Sequence, residues 1–137
     1  MFATSGRAQL AYECSGAEDG ADVLLIHAGV NDRRSWHHVV DRLSGRHRCL
    51  AYDMRGYGET TYECEDGWSP VADALAVLDA TGVERAVVVA CSMGGQAAID
   101  LALAHPAAWP GSRSWAQPCA TRRTPSSRRD RRPSSTP

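Results

Sequence analysis

Three short apolar runs, Val23-Leu24-Leu25-Ile26, Cys49-Leu50-Ala51-Tyr52 and Ala86-Val87-Val88-Val89-Ala90, alternate with stretches that carry helical spacing, and this alternation constrains the fold more than any other feature. A continuous apolar run of four or five residues that ends at a turn has the pattern of a strand buried on both faces. Between the first two runs, Trp36, Val39, Val40 and Leu43 fall at i, i+3, i+4 and i+7, which predicts a helix over residues 35–43 stopped by Gly45. Between the second and third, Ser69-Pro70 caps and opens a helix with Val71, Ala74, Leu75 and Leu78 on its inner face and Gly82 beyond its end. A third helix, from about residue 95 to 104, includes Ala98, Ile99, Leu101 and Ala102 among its apolar positions. Parallel strands need such crossovers, so the prediction is an α/β chain, three layers α/β/α around a mostly parallel sheet, with function at the carboxyl ends of the strands. Upstream, residues 8–14 alternate weakly after a Ser5-Gly6 turn and read as a strand paired in a hairpin with residues 2–4.

The chain divides after this region. Its 137 residues suffice for one domain, yet past Leu103 there is no Val, Ile, Leu, Met, Phe or Tyr from which to build a core. Through Gly111, eight Arg face fifteen acids, a net charge of −7; from Ser112 onward seven Arg face one Asp, a net of +6. Residues 1–106 therefore read as one domain and 107–137 as an Arg/Ser/Pro-rich, disordered tail. All basic residues are Arg and none is Lys, as a GC-rich gene produces. A reading-frame shift accounts for the break. If each original codon comprised the last base of one present codon and the first two of the next, the run from Ala108 to Ala116 returns Val-Ala-Gly-Leu-Ala-Leu-Val-Gly under one consistent choice of wobble bases. That string is an apolar strand closing on glycine.

The five cysteines, Cys14, Cys49, Cys64, Cys91 and Cys119, show neither a CxxC pair nor metal-ligand spacing, so reduced thiols in the cytoplasm are expected and no metal site is. The N-terminus lacks the basic and apolar segments of an export signal, and no apolar run approaches the length of a bilayer span.

The third strand runs directly into Cys91-Ser92-Met93-Gly94-Gly95 and the third helix. A strand, a small-x-Ser-x-Gly turn and a helix in immediate succession place a serine on a strained backbone where its hydroxyl is presented to a reactant. Residues two before and two after it must be small for the helix to pack against the strand, and Ala90 and Gly94 are. The Met93 N–H at the helix N-terminus would face a developing oxyanion, and the loop at Gly29 would supply a second donor.

These residues resemble the α/β-hydrolase fold family over roughly residues 8–106. An apolar strand leads into His27-Ala28-Gly29, a Trp follows at Trp36, Asp-x-Arg-Gly-x-Gly is complete as Asp53, Arg55, Gly56 and Gly58, and the serine turn comes last. Ala28 and Ala90 stand where the family has glycine. The resemblance implies Ser92 as nucleophile, Gly29 and Met93 as oxyanion hole, His27 as a residue holding its loop, no cofactor, and a small-molecule ester, lactone or similar carbonyl substrate. It also implies an acid and a histidine base on later strands, which this sequence lacks, so the chain by itself is expected to be inactive.

Other roles for these residues are weaker. A helix-capping role for Ser92 is set aside because of the three motifs together. His105 and Asp100 lie along the third helix, too far to serve Ser92 as base or acid, and His37, His38 and His47 read as exposed helix or loop residues. Asp53 and Arg55 read as residues that hydrogen-bond their own glycine-rich loop. Cys91 reads as an inert thiol leaving a buried strand. Two other classes stay open: a non-catalytic interaction protein using its basic tail, although without aromatic interleaving nucleic acid is a poor partner, and a half-enzyme completed by a separate C-terminal chain.

Overall fold

The computed structural model describes residues 1–108. Of the tail expected to be disordered from residue 107, Ala107 and Ala108 are instead ordered in a short 3-10 turn over Pro106–Ala108, where the Ala108 carbonyl accepts from the Ala86 N–H at 3.1 Å. The rest, from 109 onward, with its expected disorder and shifted frame, lies outside the described residues.

Six strands and three helices follow in the order β1 (Phe2–Ser5), β2 (Ala8–Gly16), β3 (Asp22–Ile26), α1 (His37–Leu43), β4 (Arg48–Tyr52), β5 (Thr61–Tyr62), α2 (Pro70–Ala80), β6 (Val87–Ala90) and α3 (Met93–Ala104). The sheet is mixed, with strand order β1-β2-β4-β3-β6 and β5 paired to β2. Its parallel part is β4-β3-β6, the three apolar runs. The N-terminal hairpin β1-β2 joins it through an antiparallel pairing of β2 with β4, and β5 pairs antiparallel with β2, so the described sheet is mixed rather than mostly parallel. Because the period of a strand is two, β3 feeds both faces. Leu24 and Ile26 pack with Ala74, Val77, Leu78, Ala97 and Leu101 of α2 and α3, whereas Val23 and Leu25 pack with Trp36, Val39, Val40 and Leu43. The expected α/β/α layering follows.

The helices form for local reasons that the sequence carries. The Ser69 side chain accepts from the Ala72 N–H, and Pro70 occupies the first turn of α2, where its missing N–H costs nothing. Asp32 caps a short 3-10 turn over Arg33–Trp36, and that turn runs on into α1, so the helix predicted over 35–43 is split in two.

Three expectations change. The inner face of α2 is Asp73, Ala74, Val77 and Leu78, with Val71 and Leu75 only half-buried. In α3 the buried positions are Gly94, Ala97 and Leu101, and Ile99 is 57% exposed because it lies on the side of the helix turned from β3. The third apolar run is not buried on both faces: β6 is exposed at Val87 and half-buried beyond it, since among the described residues it pairs with β3 alone.

The order of strands fixes where a site can form. From β3 the chain crosses to β4 on one side, then returns over β3 to β6 on the other. Strand order reverses between β3 and β6, and in open α/β sheets the crevice at the carboxyl ends of such a pair is where ligands bind.

Candidate active site

Both loops that the sequence singled out emerge at that crevice. β3 and β6 are parallel with Ile26 opposite Ala90, and the Cys91 N–H extends the ladder to the Ile26 carbonyl at 3.2 Å. Ser92 follows β6 and Gly29 follows β3, so the two sit on neighbouring strand ends.

Ser92 has φ 51° and ψ −115°, the sole positive φ at a non-glycine among the described residues. Such backbone costs on the order of 1–3 kcal/mol and persists only where its surroundings impose it. The imposing contact is Gly94. A Cβ there would lie 2.5 Å from the Ile26 carbonyl oxygen and 2.6 Å from that of His27, so only glycine lets α3 start this close to β3. Ser92 occupies the N-cap position of α3, yet its side chain makes no capping bond, and the residue is exposed. Met93 opens α3, and the first N–H groups of a helix have no intrahelical acceptor. Its side chain lies against Gly29: a Cβ on that glycine would meet Met93 Cε at 3.1 Å and the Tyr57 hydroxyl at 3.2 Å.

His27 is fully buried and both its ring nitrogens are engaged. Nε2 accepts from the Met54 N–H at 3.0 Å, which leaves Nδ1 to carry the proton and donate to the Ala28 carbonyl at 2.7 Å. Tyr57 packs edge-on against the ring at 5.2 Å. The imidazole thus ties the loop after β3 to the loop after β4 and has no nitrogen to offer Ser92.

Asp53 is fully buried and holds its own loop through the Glu59 N–H at 2.8 Å. It also accepts from the Arg33 N–H at 2.7 Å and is ion-paired to the Arg33 guanidinium, a partner absent from the sequence reading. Burial alone would lower the Arg33 pKa, but Glu59, Asp53 and Glu13 outweigh it and hold the guanidinium above its ordinary value. Gly58, at φ +52°, passes so close to the Asp53 carboxylate that a side chain there would collide with it. Gly56 also has positive φ, at +84°.

Arg55 departs from expectation. Its guanidinium leaves its own loop and binds both Asp73 oxygens from Nε, at 3.2 and 2.9 Å, together with Glu65 at 2.6 Å and the Ser5 carbonyl at 2.9 Å. An almost fully buried guanidinium requires carboxylates, and Asp73 on the inner face of α2 supplies one. The Asp73 hydrogen bond is the main cause of the raised Arg55 pKa. The one signal in the sequence was an acid at 73, next to the inner position Ala74 and one turn before Val77. Cys91 is exposed although its N–H continues the ladder to Ile26, because no described strand covers the outer side of β6.

No other histidine approaches Ser92. His105 ends α3, about 18 Å along the axis at 1.5 Å per residue, and its N–H caps Leu101. His37 and His38 belong to α1 and are exposed, and His47, half-buried rather than exposed, precedes the amino end of β4, at the opposite end of the strands. Asp100 is bonded by Gln96. Among the described residues no cluster of His, Cys, Asp and Glu could hold a metal ion, and no helix is long and apolar enough to cross a membrane.

The model of the alpha/beta hydrolase family matches residues 23–135. The chain belongs to that family. Epoxide hydrolase B of Mycobacterium tuberculosis is 34% identical over 94 residues, which are 65% of this chain and 26% of that protein. The 2-hydroxymuconate semialdehyde hydrolase of Pseudomonas sp. strain CF600 is 36% identical over 100 residues, 67% of this chain and 34% of its own length. A crystal structure of a hydrolase from Pseudomonas aeruginosa superposes with TM-score 0.71 at 31% identity, covering 78% of this chain and 41% of that one. The chain therefore spans well under half the length of these alpha/beta hydrolases.

Proposed function

We propose that this chain is the nucleophile-bearing part of a serine hydrolase acting on an ester, lactone or similar carbonyl compound. The observation that supports this most is Ser92 itself, held at φ 51° with no capping bond from its side chain, at the end of β6 beside the end of β3 that leads to Gly29. In the complete reaction the Ser92 Oγ attacks the carbonyl carbon and passes its proton to a base while the Met93 and Gly29 N–H groups receive the oxyanion. The intermediate collapses, the ester C–O bond breaks and the alcohol leaves with that proton; water then adds to the acyl-enzyme, releasing the acid and restoring Ser92. His27 positions the Gly29 loop, Gly94 permits the turn, and Asp53, Arg55, Gly56 and Gly58 brace the loop after β4.

Among the described residues no histidine is placed to serve Ser92 as base. All five histidines are accounted for above, and none lies in the sequence after His105. The chain alone is proposed to be inactive, and a domain of residues 1–106 followed by an out-of-frame tail explains why. The purified chain is expected to hydrolyse p-nitrophenyl acetate no faster than Ser92→Ala, and a clear difference between them refutes the inactivity. Resequencing the gene and restoring the shifted frame should return Ser92-dependent turnover. A frame-restored protein whose activity survives Ser92→Ala would end the serine-hydrolase reading.

A further inference from the structure

Tyr52, the last residue of β4, is fully buried, and its hydroxyl has no hydrogen-bond partner among the described residues. Most buried polar side-chain atoms are paired, so an unpaired one needs a reason. Trp36 Nε1 and His47 Nδ1 are also unpaired among the described residues, but Tyr52 alone of the three lines a cavity with Met93. Tyr52 lines a cavity of about 90 Å³ together with Met54, Trp68, Pro70, Met93 and Ala97, and the wall is otherwise almost wholly apolar. The Arg55–Asp73 pair closes its α2 side, but those groups satisfy each other. Burial, and then the nearby Asp73 charge, push the Tyr52 pKa up, so the hydroxyl keeps its proton and can act as a donor.

Position gives this cavity a meaning. Met93 and Ala97 lie one turn apart on the same face of α3, and Met93 directly follows Ser92. The cavity therefore begins beside the serine turn and runs inward along the helix to Tyr52. We propose that it is a subsite for a short apolar group of about three to four heavy atoms that carries a hydrogen-bond acceptor, such as a small ketone or ether oxygen, received by the Tyr52 hydroxyl. Its assignment to one arm of a carbonyl substrate rests on the serine-hydrolase reading; the binding itself does not.

The test uses the full chain and acetone as probe, read by the methyl signals of its three methionines. Met54 and Met93 line the cavity, while Met1 is 62% exposed and serves as control. Saturating shifts at Met54 and Met93, with Met1 unmoved, are expected. Tyr52→Phe keeps the ring and should weaken binding roughly two- to tenfold, as one hydrogen bond does. Ala97→Leu, which fills the cavity, should abolish saturation. Shifts that rise linearly, that move Met1 equally, or that ignore either substitution would overturn the proposal. Ser92→Ala should bind acetone as the parent does, so a failed hydrolase reading and a failed subsite give different results.

Discussion

β3 and β6 are neighbours in register, have nearly interchangeable apolar sequences, and carry the two halves of the candidate site, yet they live in different surroundings. Leu24, Leu25 and Ile26 of β3 are wholly buried, whereas Val87 of β6 is 39% exposed and its successors are half-buried. The apolar pattern is the same; the difference is that β3 has strands on both sides and, among the described residues, β6 has one. Burial is thus set by place in the sheet: the loop at Gly29 follows a buried strand, and Ser92 follows a partly exposed one. The Gly94 contact with the Ile26 and His27 carbonyls couples the two.

The largest effect should come from truncating the two strands. Leu24→Ala should cost about 2–5 kcal/mol, whereas Val87→Ala should stay within about 0.5 kcal/mol, both measured by urea unfolding. Equal losses would break the contrast. Next comes the coupling: Gly94→Ala should destabilise by about 1–3 kcal/mol because α3 must move off β3. Its neighbour Gly95 has nothing within 4 Å of an added Cβ, and Gly95→Ala should stabilise by up to about 1 kcal/mol. A tolerated Gly94→Ala would show that the strands are not held together there.

The smallest effect is acid sensitivity, which should belong to the β3 side. The Arg34 hydrogen bond pulls the Asp32 pKa down to about 2, while the first turn of α3 contains no acid. A folded value below the ordinary one near 4 contributes stability that is present above about pH 4 and lost as pH falls toward 2. Arg34 is largely exposed, so screening limits this to under about 1 kcal/mol. Arg34→Gln should flatten the stability profile between pH 4 and 2, and an unchanged slope would remove Asp32 as its source.

The sequence showed those features whose cause is local. The alternation of apolar runs and amphipathic stretches located β3, β4, β6, α2 and α3, and the Ser-Pro pair located the start of α2 to the residue. The serine turn was equally legible because strand, small residues and helix follow without a gap. What escaped depends on residues distant in the chain. Arg33 reaching Asp53, Arg55 reaching Asp73 and Glu65, and the isolated Tyr52 hydroxyl all arise when loops after different strands meet. Neither periodicity nor motif records which loops these will be. The half-exposure of β6 escaped for a related reason, since an apolar run states a preference and its neighbours decide the outcome.

The reversal of strand order at β3 also sets a timetable. On a ribosome the β1-β2 hairpin emerges first, and β4 can dock between β2 and β3 as soon as it clears the exit tunnel. Among the described strands the one that carries the serine comes last, and pairing Val87 with Val23 closes a loop that contains everything between them. Until then one edge of β3 stands open beside a nascent apolar segment, and the serine turn is assembled only on strands that are already paired.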